Sequence, residues 1–216
     1  MAATKDLPTV MKFPSFQQAF ESLSSSLLLD GKDGGRLDTV SIVAAQEGTG
    51  ASTTALNLAL TIAGTGRRTL LVDANLRAPT LHQSFNVPQG PGVAEILLKK
   101  IALKDAVRAS KTSNLYLLPA GESSGSPHAF MQEAALSALF EQVKGSYDFT
   151  VVDTPPVVRF TDALHIARVT NGAILVIPGD GAPRRAEVEV RRRLERAGVK
   201  VLGIVMNRIH SKDGMI

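Results

Sequence analysis

The stretch TVSIVAAQEGTGASTTALNLALTIA, residues 39–63, decides the fold. It begins with a short apolar run rich in β-branched residues, passes through Gly48 and Gly50, and ends in a longer, mostly apolar segment. A strand, a glycine-rich turn and a helix in this order are typical of a phosphate-binding loop, in which backbone N–H groups and the helix start face one anion. Two interpretations stay open: the loop still binds a nucleotide, or it has kept only the backbone shape.

The residue Ala51 separates this loop from the common form. A lysine usually stands there, where it contacts the β- and γ-phosphates. No basic residue lies between Arg36 and Arg67, and Gln46 occupies the place of a second loop lysine in the partitioning-type ATPases. Removal of one preorganised donor typically lowers a rate by roughly 10²–10³. If the loop still binds ATP or ADP with Mg²⁺, we therefore expect weakened binding; in either case we expect efficient hydrolysis to be lost. The predicted nucleotide contacts in the loop are Gly48, Thr49, Gly50, Ala51, Ser52 and Thr53, with Ser52 as a Mg²⁺ ligand.

Two aspartates follow apolar strands elsewhere in the chain. Asp73 ends the strand in LLVDANLR, and Asp153 ends the strand in TVVDTPP. Carboxylates at the carboxyl ends of parallel strands face the crevice in which such sheets bind ligands. We predict that both organise Mg²⁺ and would be the catalytic carboxylates of an active enzyme. The alternative for each is a helix cap or a turn former. Asn75, two residues after Asp73, brings no charge to the metal.

The rest of the chain alternates short apolar runs with longer amphipathic stretches, which predicts a parallel sheet with helices on both faces. The 216 residues, 44% apolar and 20% charged, fit one α/β domain of P-loop NTPase type with a mostly parallel sheet. Strands are predicted near residues 40–45, 69–73, 115–118, 149–153, 173–177 and 201–206. We divide the chain into an N-terminal helix and connector (1–38), the P-loop domain (39–210) and a tail (211–216).

Helix boundaries follow from local signals. Phe16, Phe20, Leu23 and Leu27 form one apolar stripe, and Ser15 has capping-box spacing to Gln18. A second helix is predicted to open at Ser126-Pro127, with the serine as cap and the proline in the first turn. The helix in residues 182–200 has an apolar stripe of Ala186, Val190, Leu194 and Ala197. Its arginines form either a solvated face or a contact surface for an anionic partner.

Composition excludes several function classes. The absence of cysteine rules out disulfides and thiolate metal sites. Four scattered histidines argue against a metal other than Mg²⁺. The net charge of +4 with 5% aromatic residues and no recognised module argues against nucleic-acid binding. No apolar run is long enough to cross a bilayer or to form a signal sequence, so we expect a cytoplasmic protein.

With these motifs assembled, the chain resembles the bacterial tyrosine kinases of capsule and exopolysaccharide assembly, relatives of the partitioning ATPases. The matching segments are FESLSSSL (20–27), VDANLRAPTLHQSFNVPQGPGVAEIL (72–97), YDFTVVDTPPV (147–157), TDALHIA (161–167) and VKVLGIVMNRI (199–209). The resemblance covers nearly the whole chain. It implies that Asn207 lies near the nucleotide base. It also implies an inner-membrane co-polymerase or chain-length protein as partner, which would hold the chain at the membrane periphery.

The sequence departs from that family in four places. Ala51 replaces the loop lysine, and Asn75 replaces the commoner second aspartate. The first helix has Gln18, Glu21 and Ser24 where the family has an ExxRxxR pattern linked to ring assembly. The chain has two tyrosines, Tyr116 and Tyr147, and its end, IHSKDGMI, lacks the tyrosine cluster that active members phosphorylate.

These departures favour a kinase-like protein with a regulatory or scaffolding function and without autophosphorylation. Homo-oligomers stay possible through an interface other than the missing arginine pattern. One alternative is a slow ATPase or tyrosine kinase in which another basic group, such as Arg77 or one from a neighbouring subunit, replaces the lysine. The other is a positioning-type ATPase that dimerises with nucleotide.

Overall fold

The structure is a computed structural model that describes residues 14–30, 37–122, 132–179 and 184–209. The helices are α1 (Pro14–Asp30), α2 (Ala51–Gly64), α3 (Leu81–Phe85), α4 (Val93–Leu97), α5 (Leu103–Ala106), α6 (Glu133–Lys144), α7 (Asp162–Arg168) and α8 (Arg184–Arg196). The strands are β1 (Thr39–Ala44), β2 (Thr69–Asp73), β3 (Arg108–Ala109), β4 (Leu115–Leu118), β5 (Phe149–Asp153), β6 (Gly172–Pro178) and β7 (Val201–Asn207).

The strands form one sheet in the order β3-β4-β2-β5-β1-β6-β7. Every neighbouring pair is parallel except β3 and β4, which pair antiparallel at the edge. From β1 the chain crosses over β5 to reach β2, and from β5 it crosses over β1 to reach β6. The connections therefore leave the central pair in opposite directions, and the carboxyl ends of β1 and β5 mark the crevice where such sheets bind ligands.

Helices cover both faces of the sheet, as the alternation of apolar runs predicts. On one face α1 and α2 pack through Phe20, Leu58 and Ile62 against strand residues that include Leu71 and Phe149. On the other face α4 to α7 pack over β2, β4 and β5. The stripe predicted for α8 is confirmed, because Val190 and Leu194 are fully buried against β1 and β6, with Ala186 and Ala197 packed beside them. A mostly parallel α/β fold is thus confirmed.

The six predicted strands all occur, with small shifts at their ends. β1 begins at Thr39 and ends at Ala44, and β7 continues to Asn207. The two-residue strand β3 was not predicted, because a pair of residues carries no periodic signal. The capping box predicted at Ser15 is wrong: α1 begins at Pro14, so Ser15 lies inside the first turn.

Several predictions concern residues outside the described ranges. These are the helix start at Ser126-Pro127, the 211–216 tail, and the histidines His128 and His210. The first described helix after Pro127 is α6, which begins at Glu133 after Gln132 in an extended conformation.

Candidate nucleotide site

The glycine-rich loop between β1 and α2 lines a cleft of about 450 Å³ at the carboxyl edge of the sheet. All six loop residues predicted to contact the nucleotide are present in its wall, which also includes Asn75, Thr154 and Arg208. The helix α2 starts at Ala51, directly after Gly50, so its first N–H groups open toward this cleft. Such N–H groups have no partner within the helix and favour an anion.

The loop backbone is held in the shape that a phosphate loop needs. Gly48 has φ of 75° and Gly50 has φ of 91°, both in the left-handed region that glycine adopts at little cost. The amide Nδ2 of Asn207 donates a hydrogen bond of 2.8 Å to the carbonyl of Thr49. A Cβ on Gly50 would clash with that same nitrogen. Asn207 therefore lies against the loop and braces it from the end of β7.

Asp73 and Asp153 are register partners on the adjacent strands β2 and β5. Both are buried beneath the cleft floor, at 0% and 1% exposure. Asp73 accepts backbone hydrogen bonds from Asn75 at 3.2 Å, Thr80 at 3.2 Å and Leu81 at 3.1 Å. Burial nevertheless raises its pKa to about 6, against the lowering effect of these N–H groups. Asp73 thus fixes the chain that leads into α3, as the alternative of a turn-forming role expects.

Asp153 differs from its neighbour because neither of its carboxylate oxygens has a hydrogen-bond partner in the described structure. Burial raises its pKa well above the ordinary value, and the negative charge of Asp73 raises it further. The Ser52 hydroxyl and the Thr154 N–H lower that pKa, but neither completes a hydrogen bond of normal geometry. Burying a carboxylate without a partner lowers the free energy of unfolding by roughly several kcal/mol.

These residues fit a magnesium ion. Mg²⁺ in nucleotide sites is held by one or two carboxylates together with phosphate oxygens and water. Here the orphaned oxygens of Asp153, the Asp73 carboxylate and the Ser52 hydroxyl would supply oxygen ligands of that kind. The hydroxyl of Thr49 is also buried in the loop without a partner in the described residues. No cluster of three or more His, Asp or Glu side chains with metal-site geometry occurs in the described chain.

Arg77, the residue considered as a substitute for the lysine, is engaged elsewhere. Its Nε donates to the Asp162 carboxylate at 2.7 Å, and its guanidinium stacks over the ring of Phe160 at 4.2 Å. Because Asp162 is buried, breaking this ion pair would be destabilising. Arg77 therefore stabilises the contact between the loop after β2 and the start of α7.

Sequence reasoning missed three features of the cleft. Arg208 lines it although it lies at the far end of the chain. Thr154 is fixed beside it by a hydrogen bond of 2.8 Å to the carbonyl of Ile42. Glu47 forms an ion pair of 2.8 Å with Arg159 near the cleft mouth. Of these residues only Arg208 lies beside a residue with a sequence signal, Asn207, and the family resemblance implies a role for the asparagine alone.

Comparison with known proteins decides the family. The AAA domain family matches residues 37–182. The tyrosine-protein kinase YwqD of Bacillus subtilis (strain 168) is 33% identical over 172 residues, which are 80% of this chain and 73% of YwqD. The chain belongs to the bacterial tyrosine kinases of capsule and exopolysaccharide synthesis.

Solved structures place the fold in the same group. The chimerical protein CapA2B2 matches 94% of this chain and 88% of its own, with a TM-score of 0.87 and 28% identity. The septum site-determining protein MinD of Pyrococcus horikoshii, complexed with Mg-ADP, matches 82% and 74% with a TM-score of 0.69 and 25% identity. Membership of the kinase family is thus accompanied by likeness to a P-loop ATPase. Within the described ranges, no helix is both long and apolar enough to span a membrane.

Proposed function

We propose that this chain binds an adenine nucleotide with Mg²⁺, turns it over inefficiently, and acts as a regulatory or scaffolding partner of a membrane co-polymerase in exopolysaccharide synthesis. The observation that carries the nucleotide part is the buried, unpaired carboxylate of Asp153 beneath a phosphate-type loop. In the described structure only the poorly aligned Ser52 hydroxyl and Thr154 N–H favour its charged form, whereas a cation held by phosphates above it would offset the charge.

The assigned roles follow from position. The N–H groups of Gly48 to Thr53 face the phosphates, while Ser52, Asp73 and Asp153 would hold Mg²⁺. The ion, when bound, neutralises phosphate charge. Asn207 braces the loop through Thr49, and the family resemblance implies that it lies near the base. Ala51 brings no charge to a transition state, so we infer that binding outlasts turnover.

Loss of autophosphorylation is supported by the positions of the two tyrosines. Tyr116 is the second residue of β4, and Tyr147 precedes β5, so both lie at the amino edge of the sheet, opposite the cleft. Their ring centroids are 5.4 Å apart, and the guanidinium of Arg68 lies 5.5 and 5.4 Å from them. Burial also raises the pKa of Tyr147. Neither hydroxyl is placed to receive a phosphoryl group from the chain's own cleft.

The family pattern for ring assembly is also replaced on α1. Ser24 is buried and its hydroxyl donates to the carbonyl of Glu21 at 3.0 Å. A buried serine at this position cannot provide the exposed guanidinium with which the family pattern contacts a neighbouring copy. We therefore propose that any oligomer uses a different surface.

The proposal is tested by calorimetric titration with MgADP beside a phosphate-release assay with MgATP. We expect saturable binding and phosphate release at the level of the buffer blank. Substantial release that Asp153→Ala abolishes would instead establish a working ATPase. The docking part is tested by co-sedimentation with vesicles that carry the co-polymerase, compared with empty vesicles. Equal recovery from both would contradict it.

A further inference from the structure

The cleft contains a basic side chain that is distant from the loop in sequence. Arg208 follows β7 directly and lines the cleft together with the residues of the glycine-rich loop. Of the described residues in that lining, it alone has a basic side chain. Although position 51 lacks the lysine, the cleft therefore still contains a cationic side chain, that of Arg208.

The backbone holds Arg208 beside the loop. Asn207, one residue earlier, is tied to the loop by its 2.8 Å hydrogen bond to Thr49 and to the end of β6 by the N–H of Gly179, which donates to the Asn207 carbonyl at 2.6 Å. Arg208 itself has φ of 58°. Non-glycine residues rarely adopt this left-handed conformation. Where they do, the surrounding structure imposes it, and such residues cluster at functional sites.

The other arginines near the cleft are already paired. Arg159 makes an ion pair of 2.8 Å with Glu47, and Arg77 makes one of 2.7 Å with Asp162. Arg208 makes no ion pair with any described acidic residue, so its charge is available to a ligand. An arginine is always protonated and offers two parallel N–H donors to phosphate oxygens.

We propose that the guanidinium of Arg208 binds the phosphates of the nucleotide and supplies the positive charge that Ala51 does not. The inference rests on the proposed nucleotide binding. It adds Arg208 to the binding residues and predicts selectivity for phosphorylated ligands. A cation in this position distinguishes ligands by their phosphate charge, so affinity for MgADP depends on it and affinity for adenosine does not. The contribution also weakens with salt, because Arg208 is exposed.

The experiment is a titration of the full chain with MgADP at low and high salt, with adenosine measured by displacement of a fluorescent MgADP analogue. The variants are Arg208→Gln, which removes the charge, and Arg208→Lys, which keeps it. Arg192→Gln on α8 is the matched control for net charge. Thermal unfolding of each variant confirms that it is folded. A second pair, Ala51→Lys with and without Arg208→Gln, completes a double-mutant cycle.

We expect Arg208→Gln to weaken MgADP binding by about tenfold, the value of one charge-assisted contact, and to leave adenosine unchanged. Arg208→Lys recovers most of the loss, and Arg192→Gln has no effect. In the Ala51→Lys background the loss shrinks to about threefold or less, because the lysine serves the same phosphates.

Three results would overturn the inference. Equal MgADP affinity in Arg208→Gln and the unaltered protein refutes the role of Arg208 and leaves the proposed nucleotide binding intact. Equal weakening of MgADP and adenosine assigns Arg208 a merely structural role. Absence of MgADP binding by the unaltered protein refutes both the inference and the proposed binding.

Discussion

The two halves of the cleft differ in what they have kept. The loop half has its backbone in place, with left-handed glycines and a brace from Asn207, but its lysine position is an alanine. The carboxylate half has both aspartates in register on β2 and β5, buried and with raised pKa values. One half has lost a charge, whereas the other keeps charges that cost folding free energy.

The difference indicates what the site is for. A backbone cradle persists at little cost, since it is part of the strand-to-helix turn. A buried carboxylate without a partner is destabilising in the protein alone, and it becomes favourable when a cation is present. The carboxylate half therefore favours a magnesium-nucleotide complex, and the loop half favours binding of that complex over its turnover.

Restoring the lysine is the change with the largest expected effect. Ala51→Lys should raise the rate of phosphate release from MgATP by roughly 10²–10³, about 2.7–4 kcal/mol of transition-state stabilisation, if the carboxylate half is intact. The measurement is a coupled phosphate-release assay. Ala51→Met, which adds length without charge, is the control. An equal rise in both variants would contradict an electrostatic role for the missing lysine.

The shape of the loop half is tested at Gly50. Gly50→Ala places a Cβ against the Asn207 amide at φ of 91°, so both a clash and backbone strain result. We expect a loss of about 2–3 kcal/mol in the free energy of unfolding, together with weakened nucleotide binding. Gly66→Ala is matched in φ, at 88°, with nothing within 4 Å of the new Cβ. It should cost about 1 kcal/mol and leave binding unchanged.

The carboxylate half is tested by pH. Asp73 has a pKa raised to about 6 and Asp153 has one raised well above its ordinary value, so the folded protein binds their protons more tightly than the unfolded chain does. Stability without Mg²⁺ should therefore fall as the pH rises from the ordinary carboxyl range near pH 4 through about 6 and beyond. Chemical denaturation across this range measures the fall.

Two asparagine variants separate the carboxylates. Asp153→Asn removes the unpaired charge, and we expect it to stabilise the protein at pH 8 by about 2 kcal/mol, the scale of one unsatisfied buried polar group, with the gain shrinking toward pH 4. It should also abolish the stabilisation by Mg²⁺ with ADP. Asp73→Asn replaces one of the two oxygens that accept from the three backbone N–H groups with an NH₂ donor, so it should gain nothing at pH 8. Identical behaviour of the two variants would contradict the distinction.

The ion pair near the cleft mouth should have the smallest effect. Glu47 and Arg159 are both more than half exposed, at 57% and 64%. Arg159→Ala should change the free energy of unfolding by less than about 0.5 kcal/mol and MgADP affinity by about twofold. Titration and denaturation measure both. A loss as large as that expected for Arg208→Gln would show that Arg159 shares the phosphate role.

The fold was largely predictable from the sequence because long apolar runs report the central strands directly. The loop, Asp73 and Asp153 were predictable for the same reason, since each stands at the end of such a run. The tertiary positions and contacts of the site side chains were not predictable from the sequence. The three N–H donors of Asp73 depend on how residues 74–81 turn back, whereas Asp153 has no hydrogen-bond partner of normal geometry. The position of Arg208 depends on its own left-handed backbone after β7.

Arg77 shows the limit of local reasoning most clearly. Its position two residues after Asn75 favours a phosphate contact, but Asp162, far away in the chain, has the acceptor that it pairs with. Ion pairs between distant segments leave no spacing signal. A substitute cation is therefore evident only from the tertiary structure, which points to Arg208 instead.

The most direct test of nucleotide binding with little turnover is one calorimetric titration of the unaltered protein with MgADP, repeated with the magnesium chelated. The account predicts saturable binding at one site per chain that weakens sharply without Mg²⁺, because Asp153 then faces the phosphates uncompensated. Absence of binding with Mg²⁺, or equal binding with and without the metal, would contradict it.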